Sequence, residues 1–374
     1  MSRIERVEGF RVTAPINPPR AFSAGIQTSF DHVVLRITDS DGVRGYGECV
    51  VIPGARGMLE ALGRELLGED PLHRDRHVGL LKRWYVSSFA VSACSIALDD
   101  LVGRRLGVPI HALYGGAWRD RVTPYAASYG SVPGRELASW IDEAADLHAR
   151  GFRAMKLRLG VLPAEEEATA VEALRSELPD EMALMGDGNG GFGPTNARTM
   201  GHALEELGFL WFEEPLPMEG YVGYPELAAE LTIPLAGGEL TDSRPAALAL
   251  LAAGAVDIIQ PEPVTCGGIG ETLFIASLAR LHGRLCIPHT SGGQIGVAAG
   301  LQALACLPDQ TLSDRNQLLF LEYPALIDPV QMAIVRSPIV PVDGFVAVPT
   351  AAGLGIEIDD AALERMAVEH FTVA

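Results

Sequence analysis

Residues 183–191 read ALMGDGNGG, residues 210–215 read LWFEEP and residues 235–240 read LAGGEL. Each stretch is a short apolar run that ends at a carboxylate, and Asp187, Glu213 and Glu239 follow one another at equal intervals of 26 residues. An interval of this length holds one strand and one helix, and such alternation is typical of parallel βα units. The three stretches therefore predict neighbouring parallel strands that present acids at the same end.

The same alternation of short apolar runs and helical segments continues on both sides of these stretches. The eight predicted strands are Val122–Ala126, Ala154–Leu159, Ala183–Gly186, Leu210–Glu213, Leu235–Gly238, Asp257–Gln260, Leu285–Pro288 and Leu318–Leu321. Helical patterns lie between them, for example at Gly134–Arg150 and Ala164–Leu178. This alternation predicts an α/β fold in which a parallel sheet closes into a barrel.

The N-terminal part of the chain has a different pattern. Residues 8–52 favour strands, with a hairpin turn at residues 39–42, and the stretch from Met58 to Leu106 is helical. The Gly/Pro/Val-rich segment 341–355 is expected to pack back on this part. We therefore predict an α+β domain over residues 1–120, completed by residues 341–374, and a barrel domain over residues 121–340.

Charge and cysteine usage exclude several classes of protein. The 374 residues include 29 Lys and Arg against 48 Asp and Glu, a formal net charge of -19, which would repel nucleic acid or a phospholipid surface. The five cysteines are scattered without a C-x-x-C pair, as expected in a reducing cytoplasm. Neither a signal peptide nor an apolar run of membrane-spanning length is visible. We expect a cytoplasmic protein with neither a nucleic-acid nor a membrane partner.

The acids at the strand ends suggest a metal site. In α/β barrels the functional groups come from the C-terminal ends of the strands. Adjacent strands would place Asp187, Glu213 and Glu239 side by side, and a few hard oxygen ligands with room for water suit Mg²⁺. The sequence therefore predicts Mg²⁺ bound by these three carboxylates.

The second predicted barrel strand carries two cations. Side chains alternate between the faces of a strand, and Met155, Leu157 and Leu159 would form the face that packs against the helices. Lys156 and Arg158 then point into the barrel near its mouth.

An acid–base pair is predicted on strands six and seven. Glu262 and His289 are 27 residues apart, again one βα unit. A carboxylate beside a histidine fixes its tautomer and raises its basicity, so this pair is a candidate general acid–base device. Glu322 ends strand eight and completes the predicted set of catalytic residues.

Several segments together resemble the mandelate racemase-like branch of the enolase superfamily, in the mandelate racemase/muconate lactonizing enzyme family. They are Ala97-Leu98-Asp99-Asp100-Leu101, Gly107-Val108-Pro109, Leu113-Tyr114-Gly115-Gly116, Asp187-Gly188-Asn189-Gly190, Trp211-Phe212-Glu213-Glu214-Pro215, Gly238-Glu239, Pro261-Glu262, Cys266-Gly267-Gly268-Ile269, Pro288-His289 and Leu321-Glu322-Tyr323. The resemblance implies a (β/α)7β barrel of the modified TIM type with an N-terminal capping domain. It also implies Mg²⁺ chemistry on a proton alpha to a carboxylate, and we expect a homo-oligomer.

Two positions depart from the family pattern. The usual K-x-K of strand two is Lys156-x-Arg158 here, and the usual strand-six aspartate is Glu262. Arginine stays protonated at ordinary pH, so Arg158 is a poor base but can bind an anion. This departure weakens the case for racemisation by two bases and favours a mechanism led by His289.

The reaction expected first is dehydration of a sugar acid. His289, poised by Glu262, would abstract the alpha proton or protonate the departing beta-hydroxyl, and Lys156 would stabilise the enediolate. Glu322 would donate a hydrogen bond to the substrate carboxylate if it is protonated. A racemase, an epimerase or a lactone cycloisomerase would use the same enediolate and remains the alternative.

Two other classes of function have a counterpart in the sequence. Gly186-x-Gly188-x-x-Gly191 formally matches a dinucleotide-binding fingerprint, but Asp187 would lie where pyrophosphate approaches and no helix starts directly after it. A non-catalytic protein that has kept the fold would be indicated by failure to bind Mg²⁺.

Substrate specificity is expected to come from the N-terminal domain. The segments Pro15–Thr28 and Val51–Met58 are rich in Gly and Pro and could close over the barrel mouth. Arg20 and Phe22 are the side chains in them that we would test as substrate contacts.

Overall fold

The computed structural model of the chain describes residues 2–84, 87–128, 130–309 and 319–374. The strands are β1 Ile4–Phe22, β2 Gly25–Asp39, β3 Arg44–Val50, β4 Arg121–Ala127, β5 Ala154–Arg158, β6 Ala183–Asp187, β7 Phe212–Glu213, β8 Leu235–Gly237, β9 Ile258–Ile259, β10 Leu285–Cys286, β11 Phe320–Pro324, β12 Val346–Ala347 and β13 Ala367–Val373. The helices are α1 Ala55–Leu66, α2 Arg74–Leu81, α3 Ser88–Leu106, α4 Ile110–Leu113, α5 Glu136–Ala149, α6 Ala164–Glu177, α7 Pro194–Glu206, α8 Tyr224–Glu230, α9 Arg244–Ala252, α10 Ile269–Leu281, α11 Gln294–Cys306, α12 Pro329–Ile334 and α13 Asp360–Met366.

The N-terminal part is an antiparallel sheet covered by helices. The sheet order is β13-β1-β2-β3, and α1 and α3 pack their apolar faces on one side of it. The N-terminal turn of α3 is capped by Ser87, whose hydroxyl accepts a bond from the Phe89 amide at 3.3 Å. Its C-terminus is closed by Gly107 in the left-handed conformation.

The predicted barrel is present. From β4 to β11 the described chain alternates eight strands with seven helices, in the (β/α)7β order. The parallel strands are hydrogen-bonded in the order β10-β9-β8-β7-β6-β5-β4-β11. The ends of this path approach each other where the Thr290 amide donates to Glu322 at 3.2 Å.

Several barrel strands are shorter than the sequence predicted. Strands β7, β9 and β10 each have two residues, and Leu318 of the predicted last strand lies outside the described residues. Inter-strand bonds nevertheless continue beyond the ends of these strands, for example from the Gln260 amide to the Gly237 carbonyl at 2.9 Å. Beyond the ends of these strands the backbone leaves regular strand geometry. Apolar periodicity does not reveal the residue at which this happens.

An apolar layer fills the lower part of the barrel. Each strand contributes one inward-facing residue to it: Tyr125, Ala154, Met185, Trp211, Ala236, Ile258, Ile287 and Phe320. Because side chains alternate along a strand, the next inward position lies two residues further on. That second layer contains Lys156, Asp187, Glu213, Gln260, His289 and Glu322. The polar residues therefore rest on a packed floor.

The C-terminal segment contacts both parts of the molecule. The Leu354 amide donates to Asp100 of α3 at 2.7 Å, as expected for a segment that packs on the N-terminal part, and strand β12 pairs in addition with barrel strand β4. Strand β13 then joins the N-terminal sheet beside β1. The domain boundaries at residues 120 and 340 remain a proposal.

In the part of the chain that the structure describes, no helix combines the length and the apolarity needed to cross a bilayer.

The closest approach between the N-terminal sheet and its helices occurs at β3. A methyl group on Gly47 would overlap the carbonyl oxygen of Ala93 in α3, and one on Gly45 would overlap that of Ala97. Backbone atoms cannot yield as a flexible side chain can, so these two glycines allow α3 to lie directly on the strand.

We therefore expect Gly47→Ala to lower the free energy of unfolding by about 2 kcal/mol or more, as overpacking against backbone does. The control is Gly79→Ala in α2, where no heavy atom lies within 4 Å of the added methyl group. That substitution should be neutral or stabilising by up to about 1 kcal/mol through helix propensity. Urea denaturation followed by circular dichroism measures both. Equal stability of the two variants would contradict the close packing.

Candidate active site

The predicted site residues converge on the mouth of the barrel. Lys156, Asp187, Glu213, Glu262, His289 and Glu322 are buried there, while Arg158 and Glu239 are partly exposed. The alternation predicted for β5 is confirmed, since Met155, Leu157 and Leu159 belong to the apolar core outside the barrel.

Lys156 lies at the centre of the acids. Its Nζ atom is 2.6 Å from Glu213, 2.8 Å from Glu322 and 3.3 Å from Asp187. Burial alone would lower the pKa of this amine, but the three carboxylates outweigh it and raise the pKa above its ordinary value. The three carboxylates therefore favour the ammonium form of this side chain.

Arg158 is held on two sides. Its Nη1 atom donates to Asp187 and, at 2.9 Å, to the Asn189 side chain, while Nε donates to the Ser128 carbonyl at 3.2 Å. Burial opposes the charge, yet Asp187 and the other acids raise the pKa of the guanidinium. A second permanent cation therefore lies above Lys156 on the same strand.

His289 and Glu262 form the pair that their spacing predicted. The distance from His289 Nδ1 to Glu262 is 2.9 Å, and Glu262 also accepts bonds from the amide and the hydroxyl of Ser291. The other nitrogen, Nε2, lies 2.9 Å from Glu239 and 3.5 Å from Glu322. Burial would lower the pKa of the imidazole, but these carboxylates raise it well above the ordinary value.

The mouth has more acids than cations. Among the described residues, six buried or partly buried carboxyl groups lie at the mouth together with two cationic side chains and one histidine: Asp187, Glu213, Glu214, Glu239, Glu262 and Glu322 with Lys156, Arg158 and His289. Glu214 Oε2 is buried and has no hydrogen-bond partner among those residues, and burial with the nearby Glu239 raises the pKa of this carboxyl well above its ordinary value. Uncompensated buried acids are costly, so this arrangement fits a bound cation.

Candidate ligand atoms for a metal ion are close together. Glu213, Glu239 and His289 offer atoms that all lie within 4.8 Å of one another. This group differs from the predicted trio by one member, because Asp187 is engaged by Arg158 and Lys156. The Asp187 carboxylate nevertheless contacts Lys156, as Glu213 does, and Glu213 lies close to Glu239. The three predicted acids are therefore neighbours.

Glu322 accepts bonds in this structure. The Thr290 amide donates to it at 3.2 Å, and Lys156 Nζ lies 2.8 Å away. Burial would raise the pKa of this carboxyl, but His289, Lys156 and Arg158 lower it below its ordinary value. A hydrogen bond from Glu322 to the substrate carboxylate, which requires a protonated Glu322, stays a prediction.

Three residues of the site were missed by the sequence reasoning. Gln260 Nε2 and Trp211 Nε1 both donate to Glu213 Oε2, at 2.8 and 3.1 Å, and the ring of Tyr125 lies under Lys156 at 5.7 Å. The signal was available for Gln260, because it is the last residue of the predicted strand Asp257–Gln260 and lies two residues before the predicted site residue Glu262.

The β1–β2 hairpin reaches the barrel mouth. The Ala21 amide and the Ser131 carbonyl are 2.8 Å apart, and the Ser23 hydroxyl donates to the Asn189 carbonyl at 3.1 Å. The predicted loop Pro15–Thr28 is thus mostly strand, because its backbone pairs across the hairpin. Arg20 and Phe22 are half-buried on this hairpin, and their contact with substrate stays a prediction.

Comparison with known proteins identifies the family of this chain. Residues 6–115 match the family "Mandelate racemase / muconate lactonizing enzyme, N-terminal domain", and residues 139–362 match "Enolase C-terminal domain-like". The chain is 35% identical over 342 residues to D-galactarolactone cycloisomerase of Agrobacterium fabrum, covering 89% of this chain and 90% of that protein.

Two further proteins are similar over most of their length. D-galactonate dehydratase of Verminephrobacter eiseniae is 32% identical over 359 residues, with 88% of this chain and 90% of that protein covered. L-talarate/galactarate dehydratase from Salmonella typhimurium, solved with Mg and L-lyxarohydroxamate, superposes with a TM-score of 0.85 at 26% identity over 100% of this chain and 94% of that one. The chain therefore belongs to the mandelate racemase/muconate lactonizing enzyme family of the enolase superfamily.

Proposed function

We propose that this chain is a Mg²⁺-dependent enzyme that removes the proton alpha to the carboxylate of an acid sugar and then expels the oxygen substituent from the beta carbon. The observation that carries this proposal is the arrangement of one histidine, held by Glu262, beside the fixed cations Lys156 and Arg158 in an acid-rich mouth. The acid-sugar substrates named for the relatives support the choice of substrate class.

Asp187, Glu213 and Glu239 would hold Mg²⁺, whose positive charge favours a bound carboxylate and the negative charge that develops on it. Oxygen donors from few side chains, in a mouth with an excess of acid, suit this ion. The similar dehydratase solved with Mg supports the same choice.

The cations on β5 would stabilise the anion formed from the substrate. Removal of an alpha proton moves charge onto the carboxylate oxygens, and preorganised donors at that place lower the barrier. Lys156 is a buried ammonium, and Arg158 is kept in place by Asp187, Asn189 and Ser128. Neither needs to change its protonation state for this role.

His289 would move the proton. Its Nδ1 atom is tied to Glu262, so Nε2 is the nitrogen left for the substrate once Glu239 is engaged elsewhere. A general base must lie within hydrogen-bond reach of the proton that it takes, and Nε2 faces the cluster of acids where the substrate carboxylate would bind. Glu262 then fixes the ring orientation and the tautomer.

Dehydration is the first candidate for the complete reaction. The C–O bond at the beta carbon breaks, the hydroxyl takes up a proton to leave as water, and the resulting enol gives a 2-keto-3-deoxy acid. His289 would deliver that proton after taking the alpha proton, which confines both transfers to one face of the substrate.

Ring opening of an acid-sugar lactone is a second candidate, favoured by two observations. One is the 35% identity to a galactarolactone cycloisomerase. The other is Arg158: a carboxylate leaving group, formed when the lactone ring oxygen departs, needs no proton donor, and arginine supplies none. Atoms balance without loss of water, so the product is an isomer of the lactone.

Proton NMR in D₂O with Mg²⁺, across hexonates, pentonates, aldarates and their lactones, separates these candidates. Loss of the alpha proton with new 3-deoxy signals from an open-chain acid supports dehydration. The same signals from a lactone alone support ring opening. If no member of the panel loses its alpha proton, the proposed substrate class is wrong.

We expect His289→Asn to lower turnover by about 100-fold or more, because the group that moves the proton is lost. Mg²⁺ affinity, measured by isothermal titration calorimetry, should stay within a factor of about three, a difference below 1 kcal/mol. His202→Asn on the exposed face of α7 is the control and should keep full activity. Undiminished turnover in His289→Asn would rule out the role.

Removal of the metal should abolish turnover, and Mg²⁺ should restore it. Glu213→Gln is expected to weaken Mg²⁺ binding by about tenfold or more, since each tenfold step corresponds to about 1.4 kcal/mol. Glu166→Gln, on the exposed side of α6, provides a change of equal charge away from the site. Calorimetric dissociation constants that are the same for both variants would exclude Glu213 as a ligand.

If His289 is the single base, the enzyme should remove the alpha proton from only one configuration at the alpha carbon. For two acid sugars that are epimers at the alpha carbon, we expect deuterium to replace the alpha proton in only one, because Arg158 occupies the position of the second base. The measurement is the loss of the alpha-proton signal in D₂O for each epimer. Exchange in both epimers at similar rates would show that a second base acts.

A further inference from the structure

The N-terminus of α11 is held by a carboxylate from the N-terminal sheet. Gly293 precedes this helix and has no side chain to cap it. Instead, Glu48 at the end of β3 accepts bonds from the amides of Gly293 at 2.7 Å and Gly296 at 2.9 Å, one with each oxygen. A carboxylate is a favourable partner for the unpaired amides and the positive dipole end of a helix.

Glu48 is fully buried at this contact. The Gln331 side chain completes the arrangement, because its oxygen accepts a bond from the Gln294 amide at 3.1 Å.

A buried histidine connects this contact to a second helix. His32 Nδ1 lies 2.8 Å from Glu48, and Nε2 lies 3.0 Å from Asp328, which caps α12 through the Val330 amide at 2.8 Å. Burial lowers the pKa of His32, but the Asp328 and Glu48 carboxylates, which accept from its ring, outweigh burial and raise the pKa to about 10. The imidazolium thus compensates the charge of Glu48.

The loop 290–293, which connects His289 to α11, also bonds to residues inside the barrel. Between His289 and Gly293 lie three residues, and two of them bond to the acid–base site. The Thr290 amide donates to Glu322, and the Ser291 hydroxyl donates to Glu262 at 2.8 Å. Glu48 therefore fixes the outer end of the short loop whose inner end carries His289.

We propose that Glu48 is a positioning residue for His289, acting through the N-terminus of α11 and the loop 290–293. The proposal rests on the role that we propose for His289 as the acid–base residue. According to this proposal, the N-terminal sheet helps to orient the His289 ring through Glu48. Without the bonds from Gly293 and Gly296 to Glu48, the loop and the His289 ring could shift. A misplacement of about 1 Å is enough to lower turnover by about 100-fold.

The test compares two buried carboxylates that each accept hydrogen bonds from two backbone amides. Asp100 also accepts two backbone bonds, from Tyr46 at 2.9 Å and from Leu354 at 2.7 Å, but neither partner belongs to α11 or its loop. Glu48→Gln and Asp100→Asn each remove one buried charge, so both should lose stability. Only Glu48→Gln should lower kcat, by about 10- to 100-fold. Its KM should change by less than about threefold, because the fixed cations on β5 stay in place.

A second readout does not depend on activity. Long-range ¹H–¹⁵N NMR correlations report the tautomer and environment of each histidine ring, and His289 is identified as the signal that His289→Asn lacks. The His289 ring signals should move in Glu48→Gln and stay in place in Asp100→Asn. If the wild type is inactive on every acid sugar, the proposed function fails, and these signals still test the positioning role.

Three results would overturn the proposal: an unchanged kcat in Glu48→Gln, an equal loss of kcat in Asp100→Asn, or His289 ring signals that do not respond to Glu48→Gln. Should Glu48→Gln fail to fold, the same measurements on Glu48→Asp decide the question. That variant keeps the charge but shortens the reach to α11 by one methylene, so it should show the same pattern with smaller changes.

Discussion

The buried ammonium of Lys156 holds the barrel mouth together. It contacts acids from β6, β7 and β11 and lies over the ring of Tyr125 in the apolar floor. Removing one member of such a buried set leaves an uncompensated charge, at a cost of about 3 to 5 kcal/mol. Two of these acids also contact the other site residues, since Asp187 pairs with Arg158 and Glu322 lies 3.5 Å from His289 Nε2.

The N-terminal sheet does more than cover the barrel. Its hairpin contacts the mouth through Ser23, and its third strand sends Glu48 to the N-terminus of α11. Both contacts end next to site residues, Asn189 in one case and the loop after His289 in the other.

Arg158 separates this chain from the usual family pattern. In the structure the guanidinium is bonded to Asp187, Asn189 and Ser128, so it is held in one place as well as permanently charged. The opposite side of the mouth carries His289 between Glu262 and Glu239. One histidine beside two cationic side chains is the arrangement on which the proposed proton transfer at one face of the substrate rests.

The sequence by itself determined the order of strands and helices and the strands that carry the acids. The inward direction of Lys156 and Arg158 also followed from it, because backbone geometry repeats every two residues in a strand and one face must be apolar. The spacing of 27 residues was enough to pair Glu262 with His289. Only the tertiary structure decided which cation meets which acid, that Glu322 is an acceptor, and that Glu48 caps a helix 245 residues away. Such contacts depend on how distant segments pack, and local periodicity carries no information about that packing.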